Sequence, residues 1–344
     1  MEFSQLPLPC EALARLKKAL KSLERLDDAP ALSADIAAYA RQLVETGYAG
    51  DLVAKTLSIL NDALARRVIE LTLPRHRLPA VDWCWLALGS EGRHEQTFVS
   101  DQDNGLIFCA SDEREAKALR ELFLSFAQDV NQQLANCGFK LCPGNIMAGN
   151  PEWCLSLEEW RRKFQDWVRK PEPTALLNAS IFFDLRPLYG EFELAENLRK
   201  LLLSQTRDTP AFLHLMASNA LQAEVPLGFR GDVVVEKGSV LEAVDLKKFG
   251  SRIFVDAARI FALATGVTAV NTQDRLRDAG PLVGVTSEEL AAVNAAFTHI
   301  LRLRQNAQVL GERAEWHELD RVILRESFKQ ARRVQQRLKL NYGL

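Results

Sequence analysis

The chain has no CxxC pair, no apolar run long enough to span a bilayer, and no basic-then-apolar leader in Met-Glu-Phe-Ser-Gln-Leu-Pro at its start. The first absence argues against a zinc site, the second against a transmembrane helix, the third against a signal peptide. Its six cysteines, Cys10, Cys84, Cys109, Cys137, Cys142 and Cys154, are scattered. Cys84 and Cys109 fall within apolar strand-like runs and read as small core residues. A reduced, cytoplasmic protein without membrane contact is expected. Charge of one sign is also missing: the formal net charge is −2, so bulk electrostatics gives no case for a nucleic-acid partner. What remains is an ordinary globular balance, 47% hydrophobic and 26% charged over 344 residues, enough for two or three domains.

One window carries chemistry. Leu86-Ala-Leu-Gly-Ser-Glu-Gly-Arg-His-Glu-Gln-Thr-Phe-Val-Ser-Asp-Gln-Asp-Asn-Gly-Leu-Ile-Phe108 is an apolar run ending in Gly89-Ser90, then an Asp-x-Asp at Asp101 and Asp103, then a second apolar run. It reads as strand, tight turn, short helix, strand. Alternation along a strand puts Asp101 and Asp103 on one face, about 7 Å apart, where oxygen ligands suit a hard divalent ion. Gly89-Ser90 precedes a helix start, whose free N–H groups favour a phosphate. A phosphate cradle facing two carboxylates predicts metal-assisted attack on a nucleoside triphosphate. His94 reads as a solvent-facing helix residue.

The combination of Gly89-Ser90-Glu91-Gly92-Arg93-His94-Glu95-Gln96 with Ser100-Asp101-Gln102-Asp103-Asn104 resembles the polymerase-β-type nucleotidyltransferase signature. It is similar in particular to the DUF294 type of nucleotidyltransferase, often fused to CBS or cyclic-nucleotide-binding domains and related to the protein-PII uridylyltransferases. Ser180-Ile-Phe-Phe-Asp-Leu-Arg-Pro-Leu-Tyr-Gly190 resembles the segment that closes the catalytic domain of such proteins. Val244–Arg252 with Asn271–Leu276 resembles their substrate-binding domain, so the resemblance covers roughly 50–335. It implies an α+β fold: a small mixed-sheet polymerase-β-like domain over 76–190, flanked by a helical lead-in over 1–75 and a helical domain over 191–344.

Hydrophobic spacing predicts helices over 11–26, from Ser33 to Glu45, from Asp51 to about Leu71, over 112–136, over 158–170 and over 191–203. Phe139-Lys-Leu-Cys142 reads as a third strand, and Gly228–Gly238 as a hairpin around Val233-Val-Val235. The final helix, 318–340, has seven Lys/Arg after residue 320 against one acid, Glu326. Its apolar spacing fits a helix laid on a core, with the charges as a solvated face. The lead-in carries no chemical motif and reads as support or as a partner contact.

In the chemistry that the resemblance implies, Gly89, Ser90 and Arg93 hold the triphosphate, while Asp101 and Asp103 bind Mg²⁺, with Mn²⁺ as its substitute. Glu95 orients Arg93. The superfamily's third carboxylate is missing from Phe139–Asn145, which leaves Asp184 as the substitute. The other reading of Asp184 is an internal ion pair with Arg186. Lys247, Lys248 and Arg252 stand where cations oppose a helix dipole, which predicts either a ligand contact or plain surface charge. The expected reaction moves NMP from an NTP to an acceptor, such as a hydroxyl of a PII-like regulatory protein. A small-molecule acceptor, or a nucleotide sensor without transfer, is the alternative. No His-Asp doublet occurs, so the hydrolase half of bifunctional PII uridylyltransferases is not expected.

Overall fold

A computed structural model describes residues 10–228, 233, 245–311 and 318–344. It has the α+β architecture expected, mostly helical with one small sheet. The chain divides into two compact units. The first comprises the described residues up to Gly47, Leu52–Gln165 and Ile181–Leu201; the second comprises Tyr48–Asp51, Asp166–Ser180 and the described residues from Leu202 onward.

The first unit opens with α1 (Cys10–Lys21), α2 (Ala29–Glu45) and α3 (Gly50–Thr72, which begins in the second unit). Leu13, Leu16 and Leu20 recur at helical spacing on α1 and are buried, as the 3.6-residue period requires. α2 starts four residues before Ser33, because Pro30 sits in its first turn, where a missing N–H costs nothing. Gly47, with φ +81°, follows its end.

The sheet is mixed, in the order β3-β2-β1-β4. β1 (Trp83–Ala87) pairs antiparallel with β2 (Asn104–Phe108) and with β4 (Arg186–Gly190), and β3 (Cys154–Ser156) runs parallel to β2. The two central strands are buried almost throughout, the pattern of a sheet covered on both faces. Trp83 sets its ring against Phe123 and Phe126 of α5 (Glu113–Asn136). Near Gly105 of β2 lies Trp160 of α6 (Leu157–Arg169), whose Nε1 donates to Leu106 O at 3.0 Å. A Cβ at Gly105 would come within 3.3 Å of that indole. The Trp160 and Phe164 stripe is therefore core, as its spacing suggested.

The third strand differs from expectation. Phe139–Cys142 forms only one bridge, Lys140 with Asp101, and the strand beside β2 is Cys154–Ser156. Pro143, just after that run, has no N–H for a ladder, and Asn145 takes a left-handed φ of +53°, so the backbone turns away.

After α6 the chain forms α7 (Pro173–Phe182) and, beyond β4, α8 (Phe192–Arg207). In the second unit, α10 (Arg252–Thr265) is buried continuously from Ile253 to Leu263. It therefore forms a central helix. Within its unit it packs against α9 (Pro210–Ala220), α11 (Thr272–Ala279) and α13 (Glu318–Tyr342). α11 and α12 (Ser287–Leu310) start on side-chain caps, Asn271 and a Thr286–Glu289 capping box. Phe328, Ala331, Val334 and Leu338 bury one face of α13, while Leu319 at its start is exposed. Apart from Gly228 and Val233, the latter bridged to Leu227, the hairpin expected at Gly228–Gly238 lies outside the described residues.

Candidate active site

Everything in the motif window turns on a four-residue helix, α4 (Gly89–Gly92), between β1 and β2. Gly89 opens it at φ +51°, a left-handed conformation that glycine adopts without steric cost. A Cβ there would lie 2.7 Å from Asp103 Oδ2. The Asp103 carboxylate thus rests against the backbone at the helix start, and Leu88 N donates to Asp103 O at 2.9 Å. At the other end, a Cβ on Gly92 would sit 2.2 Å from Asp184 O and 3.0 Å from Ala87 O. Each glycine of the motif is there for close approach.

Gln102 and Asn104 are buried, and both accept hydrogen bonds from Asn131 Nδ2 on α5, at 2.9 and 3.0 Å. Asp103, between them, therefore turns its side chain to the opposite side. Neither the Asp101 carboxylate nor the Ser90 hydroxyl has a partner among the described residues, and both are half-buried. Asp103 accepts a hydrogen bond from the Cys142 thiol. Burial, and then the Asp103 charge, push that thiol up to about 11. The pair fits Mg²⁺, which takes one or two carboxylates, keeps several waters and completes its shell with substrate phosphates. Among the described residues no group of three or more His, Cys, Asp or Glu is gathered to hold a metal.

The structure gives Asp184 a partner that the sequence did not suggest. Asp184 is fully buried and accepts from Arg93 Nη1 at 2.5 Å, while Arg93 Nε donates to Glu95 Oε2 at 2.8 Å. Glu95 orients Arg93, as expected. The Asp184–Arg186 pair does not form. Arg186 Nη2 instead reaches both oxygens of Asp62 on α3, at 3.0 and 2.9 Å. It also donates from Nε to Gly92 O at 3.3 Å and from Nη2 to Glu91 O at 3.1 Å, satisfying carbonyls at the end of α4. Asp184 lies in the turn before β4 while Arg186 begins that strand, so strand geometry does not set the two side chains together, and their partners lie on different elements.

Three residues of this environment escaped sequence reasoning. Asp62 looked like an ordinary polar position on α3. Glu91 lies among carboxylates: burial first, then Asp62 and Asp103, push it up to about 8 against the pull of Arg186. His94 was read as solvent-facing, yet its ring is largely buried, with φ +56°. Its Nδ1 has no hydrogen bond and lies 3.7 Å from Asp62. Burial and the Arg186 charge hold it down at about 4. Only the left-handed backbone left a trace in the sequence, as the crowding of Gly, Arg and His in a tight turn.

Comparison with known families decides the class. Residues 34–174 match the family described as Putative nucleotidyltransferase DUF294, and residues 210–342 match the one described as Putative nucleotidyltransferase substrate binding domain. The chain belongs to the DUF294 family. No curated protein matches it. Among the described residues, no helix is long and apolar enough to cross a membrane.

The DUF294 substrate-binding match contains the remaining expected contacts. Lys247 and Lys248 are exposed in a π-helical turn (Lys247–Ser251) leading into α10, and both backbone N–H groups donate to Asp245 Oδ1 at 2.9 Å. Lys248 Nζ stands 4.9 Å over the Phe249 ring. Arg252 Nε donates to Asp256 Oδ2 at 3.2 Å. Asp245 and Asp256 thus supply the negative charge that a helix start prefers, which removes the helix-dipole argument for a ligand at these cations. They remain donors on the surface of the second unit.

Proposed function

We propose that this DUF294 nucleotidyltransferase moves a nucleoside monophosphate from an NTP to an acceptor, with Mg²⁺ held by Asp101 and Asp103. The observation that carries this reading is the Asp103 carboxylate seated against Gly89, two residues from an Asp101 carboxylate with no partner among the described residues. Bound there, Mg²⁺ would neutralise phosphate charge and polarise the phosphorus–oxygen bond; Mn²⁺ offers the same charge and oxygen preference.

The chain's own residues do the rest. Gly89 admits the triphosphate to the backbone, and the Ser90 hydroxyl and N–H donate to its oxygens. Arg93, bound to Glu95 and Asp184, fixes the turn after the cradle, so Asp184 acts through Arg93 as a positioning residue. Arg186 ties the end of α4 to α3 through Asp62. Lys247, Lys248 and Arg252, exposed on the second unit, supply cations for an acidic acceptor. A hydroxyl of a regulatory protein, as in the PII uridylyltransferases, is the acceptor class that the resemblance favours.

A second reading is a nucleotide sensor that binds at the same cradle without transfer. The engagement of Asp184 by Arg93 favours it, since the carboxylate expected to complete a triad is occupied. Incubation with each α-labelled nucleoside triphosphate, Mg²⁺ and cell lysate separates the two. A labelled acceptor, absent with Asp101→Asn, supports transfer. Metal-dependent nucleotide binding without label transfer supports the sensor. Neither binding nor transfer refutes both.

A further inference from the structure

The helical lead-in carries no chemical motif, yet it walls a polar cavity beside the acidic pair. Between α2, α3 and the Gln96–Ser100 loop of the first unit lies a cavity of about 90 Å³. A water's share of liquid volume is about 30 Å³, so the cavity holds a group of a few heavy atoms. The twelve lining residues include one cation, Arg41, and no acid. Arg41 is exposed on α2 and has no ion-pair partner among the described residues. Ser33, Asn61, Gln96 and Ser100 add hydroxyl and amide groups. Asn61 Nδ2 donates to Gln96 Oε1 at 3.3 Å, and Gln96 N to Ser58 Oγ at 3.0 Å, so the amides are held in place. An uncompensated guanidinium beside fixed hydroxyl and amide groups recognises a compact oxyanion.

The cavity lining reaches the residue next to the candidate metal site along the chain. Ser100 lines the cavity and accepts from Thr97 N at 2.8 Å, closing the loop. The next residue is Asp101, bridged to Lys140, which follows the cavity residues Cys137, Gly138 and Phe139. Both backbone segments that fix Asp101 therefore emerge from the cavity wall. We propose that this cavity is an effector site for the phosphate or carboxylate head group of a small metabolite, and that its occupation alters how Asp101 binds metal. The coupling rests on the metal-site reading above; the binding does not.

Calorimetry on the full chain, without metal, tests the binding with inorganic phosphate in one arm and acetate in the other. At least one anion should bind saturably, and the arm that binds identifies the head group. Binding should persist in Ser90→Ala, which removes the phosphate cradle's hydroxyl. It should weaken about tenfold or more in Arg41→Gln, the loss expected for a charge-assisted hydrogen bond. Ala37→Leu, which fills the cavity from α2, should weaken it as well, with melting curves confirming that both variants fold. No saturable binding of either anion, or wild-type affinity in Arg41→Gln, overturns the site. The coupling is read separately, as Mn²⁺ affinity by paramagnetic resonance with and without the binding anion. A shift in the wild type that vanishes in Arg41→Gln supports it, and an equal shift or none in both overturns the coupling while leaving the binding result standing.

Discussion

The two ends of α4, Gly89 and Gly92, are three residues apart and electrostatically opposite. At the Gly92 end every strong charge is matched: Arg93 by Asp184 and Glu95, Arg186 by Asp62 and two carbonyls. At the Gly89 end the Asp101 carboxylate and the Ser90 hydroxyl have no partner among the described residues, and Asp103 takes a thiol proton donor. Buried charges are tolerated only when paired and hydrogen-bonded. The Gly92 end meets that condition from within the chain, so it can hold a backbone in place. The Gly89 end leaves its donors and acceptors to be completed from outside, as a binding site does.

The largest expected effect is on chemistry alone. The double substitution Asp101→Asn, Asp103→Asn should cut nucleotidyl transfer by about 10³-fold or more, since metal stabilisation is worth several kcal/mol. Melting temperature should change little by comparison, because the Asp101 carboxylate has no partner among the described residues and an amide at 103 can still accept from the Cys142 thiol. Wild-type Mg²⁺-dependent nucleotide binding in that protein would remove the metal assignment. Asp184→Asn should do the reverse. Leaving Arg93 with a neutral amide in a buried site should cost about 3–5 kcal/mol in urea unfolding. The single-turnover rate of the folded fraction should fall by less than about tenfold. A stable but inactive Asp184→Asn would move Asp184 from positioning to catalysis.

The same substitution at both glycines sharpens the contrast. In Gly92→Ala the new methyl meets backbone, Asp184 O at 2.2 Å, which cannot yield without shifting β4. A loss of about 3 kcal/mol or more is expected. In Gly89→Ala the methyl meets the tip of a side chain, Asp103 Oδ2 at 2.7 Å, which can swing away. That variant should lose only about 1–2 kcal/mol for the left-handed backbone, with a larger loss in metal affinity. Denaturant midpoints and Mn²⁺ titration on both proteins check this. Similar stability losses with unchanged metal binding would show that Asp103 is not tied to Gly89.

Much of this contrast was legible in the sequence at the Gly89 end and little of it at the Gly92 end. Gly89, Ser90, Asp101 and Asp103 sit within fifteen residues, and local rules of turns and strand alternation suffice to assemble them. The pairings of the other end join α3, the motif and the approach to β4, across 91 residues between Arg93 and Asp184 and 124 between Asp62 and Arg186. No local pattern tells an Asp184–Arg186 pair from the one that forms. The third strand failed for a related reason. Phe139-Lys-Leu-Cys is apolar enough for a strand, but pairing is decided by the neighbour available to β2, and Cys154–Ser156 takes that edge. The long helices α5, α6 and α13 were readable because a 3.6-residue stripe repeated over several turns is itself the packing instruction.

The smallest expected effect concerns His94, two residues past the Gly92 end. Its ring is held neutral by burial and the Arg186 guanidinium, against the opposing Asp62 carboxylate, and its pKa falls from 6.5 to about 4. The unfolded chain therefore binds a proton between pH 6.5 and 4 that the folded chain refuses, so stability falls with pH over that window. The contribution is fully present above pH 6.5 and is lost as pH falls through 4. Asn also tolerates the left-handed backbone of +56° but does not titrate here. His94→Asn should accordingly lose less stability than the wild type on going from pH 7 to pH 4, by about 3 kcal/mol at most. Paired urea titrations at the two pH values measure the difference, in which every other titrating group cancels. Parallel losses would mean that His94 reaches solvent in the folded protein, and the Gly92 end would then be open to water rather than sealed by its ion pairs.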